Sequence, residues 1–395
     1  MVRAKATVLH VDLDMFYVSM ELLRRPALKG KPVIVAGGLG ARGVVNTASY
    51  EARQFGVRSA MPVSRARQLC PGGVYLESDY RYYGTASKQF HAILRDFTPL
   101  VESAGVDEAY LDVAGTEMLF GDASAIASEI KRRITAEIGI NGSVGVSTNK
   151  LVSKVASDAG KPDGLVVVAA GEEAAFLAPR PIRELPMVGP KLADALARMG
   201  VTTIGEIAAM SSRSLEERFG QFGRELHARA RGIYSAPVAS GRGQAKSVSR
   251  ETTFGTDVAD RERLRAVLRG QAERVATDLR KQDRGARTVT LKLRFPPFET
   301  LTRSATPGPM LELADEIYAV ATDLFEKAWG ANGRRPVRLV GVGVMNLGER
   351  GRQLRLGEDL SPDHLANTVS RLRERFGDEV IHRAAEIGRG RHFDH

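Results

Sequence analysis

Ser103-Ala104-Gly105-Val106-Asp107-Glu108-Ala109-Tyr110-Leu111-Asp112-Val113 is the stretch on which the fold turns. Two adjacent acids open an otherwise apolar run. Val106, Tyr110, Leu111 and Val113 favour a pleated, buried backbone, so the run is expected to be a strand. Neighbours on a regular strand point to opposite faces, and Asp107 and Glu108 could then not share a ligand. A turn at Gly105 would bend the strand start and could bring both carboxylates to one side. Acids at a strand end, aimed into a cleft, suit a hard divalent cation. A second acidic strand end lies in Val8-Leu9-His10-Val11-Asp12-Leu13-Asp14, where Asp12 and Asp14 alternate and share a face. Asp12 with Asp107 and Glu108 would make a three-carboxylate metal site. Acidic strand ends are also common without a metal, so on these residues alone both readings stand.

The 395 residues allow roughly two to four domains with sizeable cores. An apolar content of 43% is ordinary for a globular protein. The net charge of +10 and pI near 9.7 favour an anionic partner, of which nucleic acid is the commonest. A basic chain can also be no more than soluble and basic. Cys70 is the one cysteine, so no internal disulfide can form, which fits a reducing cytoplasm. No secretory apolar region follows Met1, and no apolar run approaches the length of a membrane span.

A helix from Met15 to Leu23 is expected after the first strand, with Asp14 as its N-cap. The free N–H groups of its first turn could hold phosphate oxygens. Pro32 to Ala36 reads as a strand, and Val44 to Val57 as a strand running into a helix that stops at Gly56. Tyr50 and Arg53 share a face of that helix. They could grip a nucleotide phosphate or form a surface stacking pair. Helices are expected over Tyr80–Phe97, Ala123–Ile138 and Asn149–Ala159, with strands at Val144–Val146 and Leu165–Ala170. This alternation argues a mixed sheet with helices packed on it. Lys161, in the turn Lys161-Pro162-Asp163-Gly164, could reach into a cleft. On spacing alone it reads as a solvated turn lysine.

After Ala170 the pattern is helical and short-looped. Leu185-Pro186-Met187-Val188-Gly189-Pro190-Lys191-Leu192-Ala193 puts a Gly turn between two expected helices. It is similar to a helix-hairpin-helix, whose amides hold a DNA phosphate without reading sequence. Phe219-Gly220-Gln221-Phe222-Gly223 is a weaker second instance, and short Gly turns also join ordinary helix pairs. Ser235 to Ala245 reads as a flexible linker. Beyond it come strand (Ser247–Phe254), helix (Asp260–Gln282), strand (Thr288–Phe295), strand (Glu299–Ala305), helix (Met310–Trp329) and strand (Val337–Leu347). This is a βαββαβ unit of ferredoxin-like type. Lys246, Arg250, Lys292, Arg294 and Arg303 lie on or beside its strands, so one sheet face could follow a phosphate backbone or be a solvated basic face. A last helix is expected from Ser361, with Leu365, Val369, Leu372 and Phe376 on one stripe.

Four of these segments together resemble the Y-family translesion DNA polymerases. They are Val11-Asp12-Leu13-Asp14-Met15-Phe16-Tyr17, Thr47-Ala48-Ser49-Tyr50-Glu51-Ala52-Arg53, Val106-Asp107-Glu108-Ala109-Tyr110-Leu111-Asp112 and Gly160-Lys161-Pro162-Asp163-Gly164. They stand in the family's order and spacing, and the resemblance runs from about Thr7 to about Leu347. The matching branch is the DinB type, that of bacterial DNA polymerase IV. The resemblance implies an α+β multidomain fold, the right-hand polymerase. Its parts would be a ferredoxin-like palm (1–12 and 79–171), small fingers (13–78) and a helical thumb with a helix-hairpin-helix (172–236). A linker (237–246), a βαββαβ little finger (247–349) and a C-terminal tail (350–395) would follow.

The implied activity is template-directed addition of dNTPs to a primer 3′ end opposite damaged or distorted template, by two-metal-ion phosphoryl transfer. Low fidelity is implied, and no obvious segment is left for a proofreading exonuclease. Asp12, Asp107 and Glu108 match the family's metal ligands, and the backbone carbonyl of Leu13 would add an oxygen. Two Mg2+ ions are the implied cofactors, with Mn2+ able to substitute. Tyr50, Arg53 and Lys161 match the triphosphate contacts, assisted by Thr47 and the amides of Phe16 and Tyr17. Tyr17 stands at the steric gate, its ring beneath the deoxyribose with no room for a 2′-hydroxyl. Primer-template DNA and dNTP are the implied partners. Gln353-Leu354-Arg355-Leu356 partly matches the sliding-clamp peptide through Gln353, Leu354 and Leu356, but no aromatic follows. A cytoplasmic monomer without membrane contact is expected.

Two departures stand out. Gly105-Val106 replaces the family's usual Ser-Ile, and Asn46 stands where the family often has a small residue above the templating base. Two other readings compete. One is a UmuC-like, partner-dependent subunit. The other is a catalytically silent DNA-binding scaffold, against which the three retained acids count. A palm-based nucleotide cyclase is remoter, because it needs neither thumb nor little finger.

Overall fold

The computed structural model describes residues 5–240, 245–308, 310–350 and scattered positions from 368 to 381. Gln353, Leu354, Leu356 and Leu365, and so the clamp-peptide expectation, lie outside the described residues. The chain divides into two compact units, Met1–Leu39 with Gly43–Arg242 and Gly40–Arg42 with Gly243–His395.

The first unit opens with β1 (Val8–Leu13), α1 (Phe16–Arg24), β2 (Val33–Ala36), β3 (Val45–Ala48), α2 (Tyr50–Gln54), α3 (Val63–Leu69) and β4 (Val74–Glu77). It continues with α4 (Tyr80–Arg95), β5 (Val101–Ser103), β6 (Glu108–Asp112), α5 (Glu117–Phe120), α6 (Ala123–Glu137), β7 (Gly142–Ser147), α7 (Lys150–Gly160) and β8 (Leu165–Val167). A five-stranded sheet has the order β5-β6-β1-β7-β8, with β1 central and antiparallel to both β6 and β7. A smaller sheet, β3-β2-β4, pairs β2 antiparallel to β3 and parallel to β4.

Alternation along β1 gives its two faces different tasks. Leu9, Val11 and Leu13 enter a core with Phe90, Ile93 and Leu94 of α4 and Ile126, Ile130 and Ile134 of α6. His10 and Asp12 take the opposite face, on which α7 lies. Asn149 caps α7 by accepting from Val152 N–H at 3.1 Å. The helix sits against the bare backbone of Gly145 on β7. A Cβ there would stand 2.0 Å from the Ser153 carbonyl oxygen and 2.4 Å from the Ser157 nitrogen.

The stretch 103–113 is not one strand. β5 ends at Ser103, the N–H groups of Ala104 and Gly105 both donate to the Glu108 carbonyl at 3.1 Å, and β6 starts at Glu108. Val106, read as a buried strand residue, sits in the turn and is 42% exposed. The turn preference of Ala-Gly outweighs the β-propensity of one valine. Asp14 is not the cap of α1 either. Met15 holds that position at φ 48° with no side-chain cap bond, and the Asp14 carboxylate turns inward.

The helical part comprises α8 (Glu173–Leu177), α9 (Pro190–Ala197), α10 (Ile204–Ala209), α11 (Ser212–Phe219) and α12 (Gln221–Ala230). Leu177, Ile182, Leu185, Leu196, Ile204, Ile207, Leu215 and Leu226 share a core with Leu151, Val152 and Val155 of α7. The turn in Leu185–Ala193 joins a single 3-10 turn (Ile182–Glu184) to α9, where two helices were expected. The pattern read as weaker is the one flanked by two helices. Gly220, at φ 64°, links α11 to α12.

The second unit is the expected βαββαβ: β9 (Ser247–Val258), α13 (Arg261–Lys281), β10 (Arg284–Phe295), β11 (Glu299–Ala305), α14 (Ala314–Ala331) and β12 (Val337–Glu349). Its sheet runs β11-β10-β12-β9, antiparallel throughout. Val289, Leu291, Leu293 and Phe295 alternate into a core with both helices. Lys292 and Arg294 therefore face the open side, where Lys292 pairs with Glu251 at 2.7 Å. Arg250 is opposite buried Val342 and bonds to Asp278 of α13, and Arg303 is opposite buried Leu291. The five basic residues thus do not share one face. Among the described residues no helix is long and apolar enough to cross a membrane.

Candidate active site

The register of β1 and β6 sets Asp12 directly across from Glu108, so both side chains leave the same face. Asp107 belongs to the turn before β6, and its carbonyl accepts the Leu13 N–H at 2.9 Å. That bond ties the turn to the end of β1. Donor atoms of His10, Asp12 and Glu108 all lie within 4.8 Å of one another. Asp107 is not in that trio. Burial, followed by the Asp12 and Glu108 carboxylates, pushes its carboxyl up to about 6. Burial also raises Asp12 above the usual carboxylate value, against the pull of Lys161. The three acids are thus half-buried, crowded with negative charge and, with His10 set aside, an all-oxygen donor set, which fits hard divalent cations.

Lysines of α7 and the turn after it answer this charge. Lys161 Nζ is 2.8 Å from Asp12 Oδ1 and 2.9 Å from Asp158 Oδ1. Burial works against its charge, but Asp12 and Asp158 outweigh that and hold the ammonium above the ordinary lysine value. Lys154 Nζ lies 2.7 Å from Glu108 Oε2. The Lys161 turn is fixed from below by Asp14. Its carboxylate accepts from Ser143 Oγ at 2.9 Å and from the Asp163 N–H at 2.7 Å.

Tyr50 opens α2, capped by Ser49, and the Arg53 guanidinium lies 5.0 Å over its ring. The Tyr50 hydroxyl is buried and has no hydrogen-bond partner among the described residues. Burial first and Asp14 next push it up to about 12, and Arg53, Lys161 and Asp12 are its other charged neighbours. Tyr50, Arg53 and Lys161 therefore converge. Thr47, half-buried, precedes them on β3. The Phe16 ring is in the core, so only its amide can serve a ligand. The amides of Phe16 and Tyr17 lie ahead of Ser19 N–H···Met15 O, the bond that opens α1. Tyr17 is half-buried, stacks on Tyr83 at 4.5 Å and meets Tyr80 edge-on at 6.1 Å. Burial and then Asp107 raise its phenol, placing the ring beside the acids.

Asn46 is the extra residue of a β-bulge, between the pairs Ala36↔Val45 and Val35↔Thr47. Its Nδ2 donates to Ser78 Oγ at 2.8 Å and to the Tyr80 hydroxyl at 2.7 Å.

Sequence reasoning passed over His10, Lys154 and the true role of Asp14. His10 and Asp12 are two apart on a strand and must share a face, which was a usable signal. Burial lowers the His10 imidazole below its ordinary value. Lys154 and Lys161 are seven apart, two helical turns, and would have read as one stripe had α7 been known to face the acids.

Residues 11–158 match the model of the impB/mucB/samB family, and residues 245–356 match that family's C-terminal domain. Residues 183–233 match the thumb domain of DNA polymerase-iota. DNA polymerase IV of Dehalococcoides mccartyi is 42% identical over 371 residues, 94% of this chain and 95% of that one. DNA polymerase IV of Halorhodospira halophila is 42% identical over 347 residues, 88% of this chain and 96% of that one. Among solved structures, a chimeric Y-family DNA polymerase superposes with a TM-score of 0.75 at 29% identity, covering 87% of this chain and 99% of its own. The insertion ternary complex of Dbh DNA polymerase gives 0.61 at 29% identity, with coverages of 87% and 99%.

Proposed function

Because the chain belongs to the impB/mucB/samB family, the Y-family translesion DNA polymerases, we propose that Asp12, Asp107 and Glu108, with the Leu13 carbonyl, hold its catalytic metal ions. The enzyme is a DNA-directed DNA polymerase, and its substrates are primer-template DNA and a deoxynucleoside triphosphate. The observation that carries the site reading is the β1–β6 register, which sets Asp12 across from Glu108 with Asp107 tied to Leu13. On this reading the palm is 1–12 and 79–171, the fingers 13–78, the thumb 172–236 and the little finger 247–349.

Family members are metal-dependent, and we assign Mg2+. Two such ions, when bound, activate the primer 3′-hydroxyl and neutralise charge on the α-phosphate and the departing pyrophosphate. The chain's own residues position the reactants, which is most of what phosphoryl transfer requires. Asp12 and Glu108 are held by strand register and Asp107 by the turn. Lys161 exchanges Asp12 for the triphosphate. Arg53 flanks the phosphates, and Tyr50 donates its unpartnered hydroxyl to a phosphate oxygen. Single-nucleotide primer extension with purified protein tests the assignment.

Lys161→Ala is expected to raise the dNTP KM about tenfold, since it removes a charge-assisted contact. Tyr50→Phe loses one neutral hydrogen bond and should raise KM about threefold. A change in kcat alone, with KM unmoved, would remove both residues from nucleotide binding. Tyr17, braced by Tyr83 and Tyr80, closes the sugar side. Tyr17→Ala is expected to raise ribonucleotide insertion relative to deoxynucleotide by roughly a hundredfold, read as a ratio of kcat/KM values. Equal discrimination in variant and parent would remove that role.

A further inference from the structure

Tyr80 opens α4 and is 59% exposed, so burial does not fix its ring. The helix cap fixes only the backbone there, with Asp79 accepting from Tyr82 N–H at 3.1 Å and pairing with Arg24 at 2.8 Å. An exposed aromatic at a helix start can change rotamer unless something holds its tip. Asn46 holds it, through the 2.7 Å bond from Nδ2 to the Tyr80 hydroxyl. The other Nδ2 proton goes to Ser78 Oγ at 2.8 Å, and Ser78 in turn donates to the Ala36 carbonyl at 3.0 Å. Asn46 comes from the bulge between β2 and β3, so the tip of Tyr80 is tied to that sheet. An asparagine serving the templating base would keep an amide proton for that base, whereas here both are engaged. The effect reaches Tyr17. Its ring has Tyr83 stacked on it at 4.5 Å and Tyr80 edge-on at 6.1 Å, and Tyr80 also meets Tyr83 edge-on at 6.3 Å. Tyr83 is buried with its hydroxyl on Glu21 at 2.8 Å and cannot give way. Tyr80 is the movable side of this clamp.

We propose that Asn46 is a positioning residue for sugar selection: by anchoring the Tyr80 hydroxyl, it holds Tyr17 where a ribose 2′-hydroxyl does not fit. This rests on the gate role proposed for Tyr17 and names the side chains that set the gate. A ring loose by about 1 Å makes room for a hydroxyl, so what surrounds a gate decides how selective it is. Edge-to-face contact passes the constraint from Tyr80 to Tyr17 without any polar link between the two rings. The anchoring bond joins neutral groups, and its loss changes a ratio by a small factor rather than abolishing it. Asn46 therefore tunes the discrimination that Tyr17 supplies.

The test reads discrimination, kcat/KM for a dNTP over that for the matching rNTP, in single-nucleotide primer extension by the full chain. Asn46→Ala should lower it about fivefold, and so should Tyr80→Phe, which keeps the ring and removes only the hydroxyl. The double variant should stay within about twofold of either single one, because both remove the same bond. In a Tyr17→Ala background neither change should move the ratio by more than about twofold. A parent-like ratio in folded Asn46→Ala and in Tyr80→Phe overturns the role of Asn46. Additive losses in the double variant, or full effects in the absence of the Tyr17 ring, overturn it equally. An Asn46→Ala enzyme that changes its choice of base opposite the template and keeps its sugar ratio also overturns it. Circular dichroism checks folding, and should Asn46→Ala fail to fold, Tyr80→Phe, at an exposed position, decides alone. Tyr17→Ala with the discrimination of the parent would instead remove the gate itself. Discrimination lost in Tyr17→Ala but kept in Tyr80→Phe removes only the part assigned to Asn46.

Discussion

Asp107→Asn is expected to reduce single-nucleotide insertion by about 10³-fold or more, roughly 4 kcal/mol of transition-state stabilisation. The substitution keeps shape and removes charge. The amide is a poorer ligand for a hard cation and leaves the transferring phosphoryl group less well neutralised. The same change should raise the melting temperature in the presence of a chelator. Asp107 is pushed up to about 6 because it is buried beside Asp12 and Glu108, so its ionised form opposes folding at neutral pH. Activity lost while stability is gained separates a ligand from a structural carboxylate. Insertion within about tenfold of the parent, in a protein of unchanged circular dichroism, would count decisively against the assignment.

Gly145→Ala is expected to cost more than about 4 kcal/mol of folding free energy, measured by urea denaturation. The added methyl would meet main-chain atoms of α7 at 2.0 and 2.4 Å, and backbone in mid-helix cannot turn aside as a side-chain tip can. The helix would have to lift from β7. Lys154 and Ser157 ride on it and Lys161 follows its last turn, so nucleotide and metal binding should fail along with stability. A stability within about 1 kcal/mol of the parent would mean that this close packing is not obligatory.

Much of this arrangement was legible in the residues. The βαββαβ unit follows from the alternation of apolar residues from Val289 to Phe295 in β10 and from the apolar stripes of α13 and α14. Tyr50 and Arg53 were readable as neighbours because helical spacing alone puts them together. Other features were hidden because they depend on what packs opposite. A glycine in Val144-Gly145-Val146 reads as a weak point in a strand, whereas it is the place where a helix reaches the sheet. Asp14 looked like a helix cap because caps are local, yet its partners Ser143 and Asp163 are 129 and 149 residues away. Val106 looked buried because propensity does not register a chain reversal. Basic residues along β9–β11 looked like one face because counting charges does not give their register across strands.

The Asp14 mooring has a mechanical outcome. Lys131 Nζ adds to it, reaching Gly142 O at 2.8 Å and Asp163 Oδ1 at 2.6 Å. The arm that carries Lys161 is thus bolted to the same plank as Asp12 and cannot swing as an independent lid. On the proposed assignment of Lys161 and Asp12, any tilt of that plank would carry nucleotide and ions together, keeping their spacing. Whatever slack the enzyme allows an ill-shaped template must come from the parts that grip DNA.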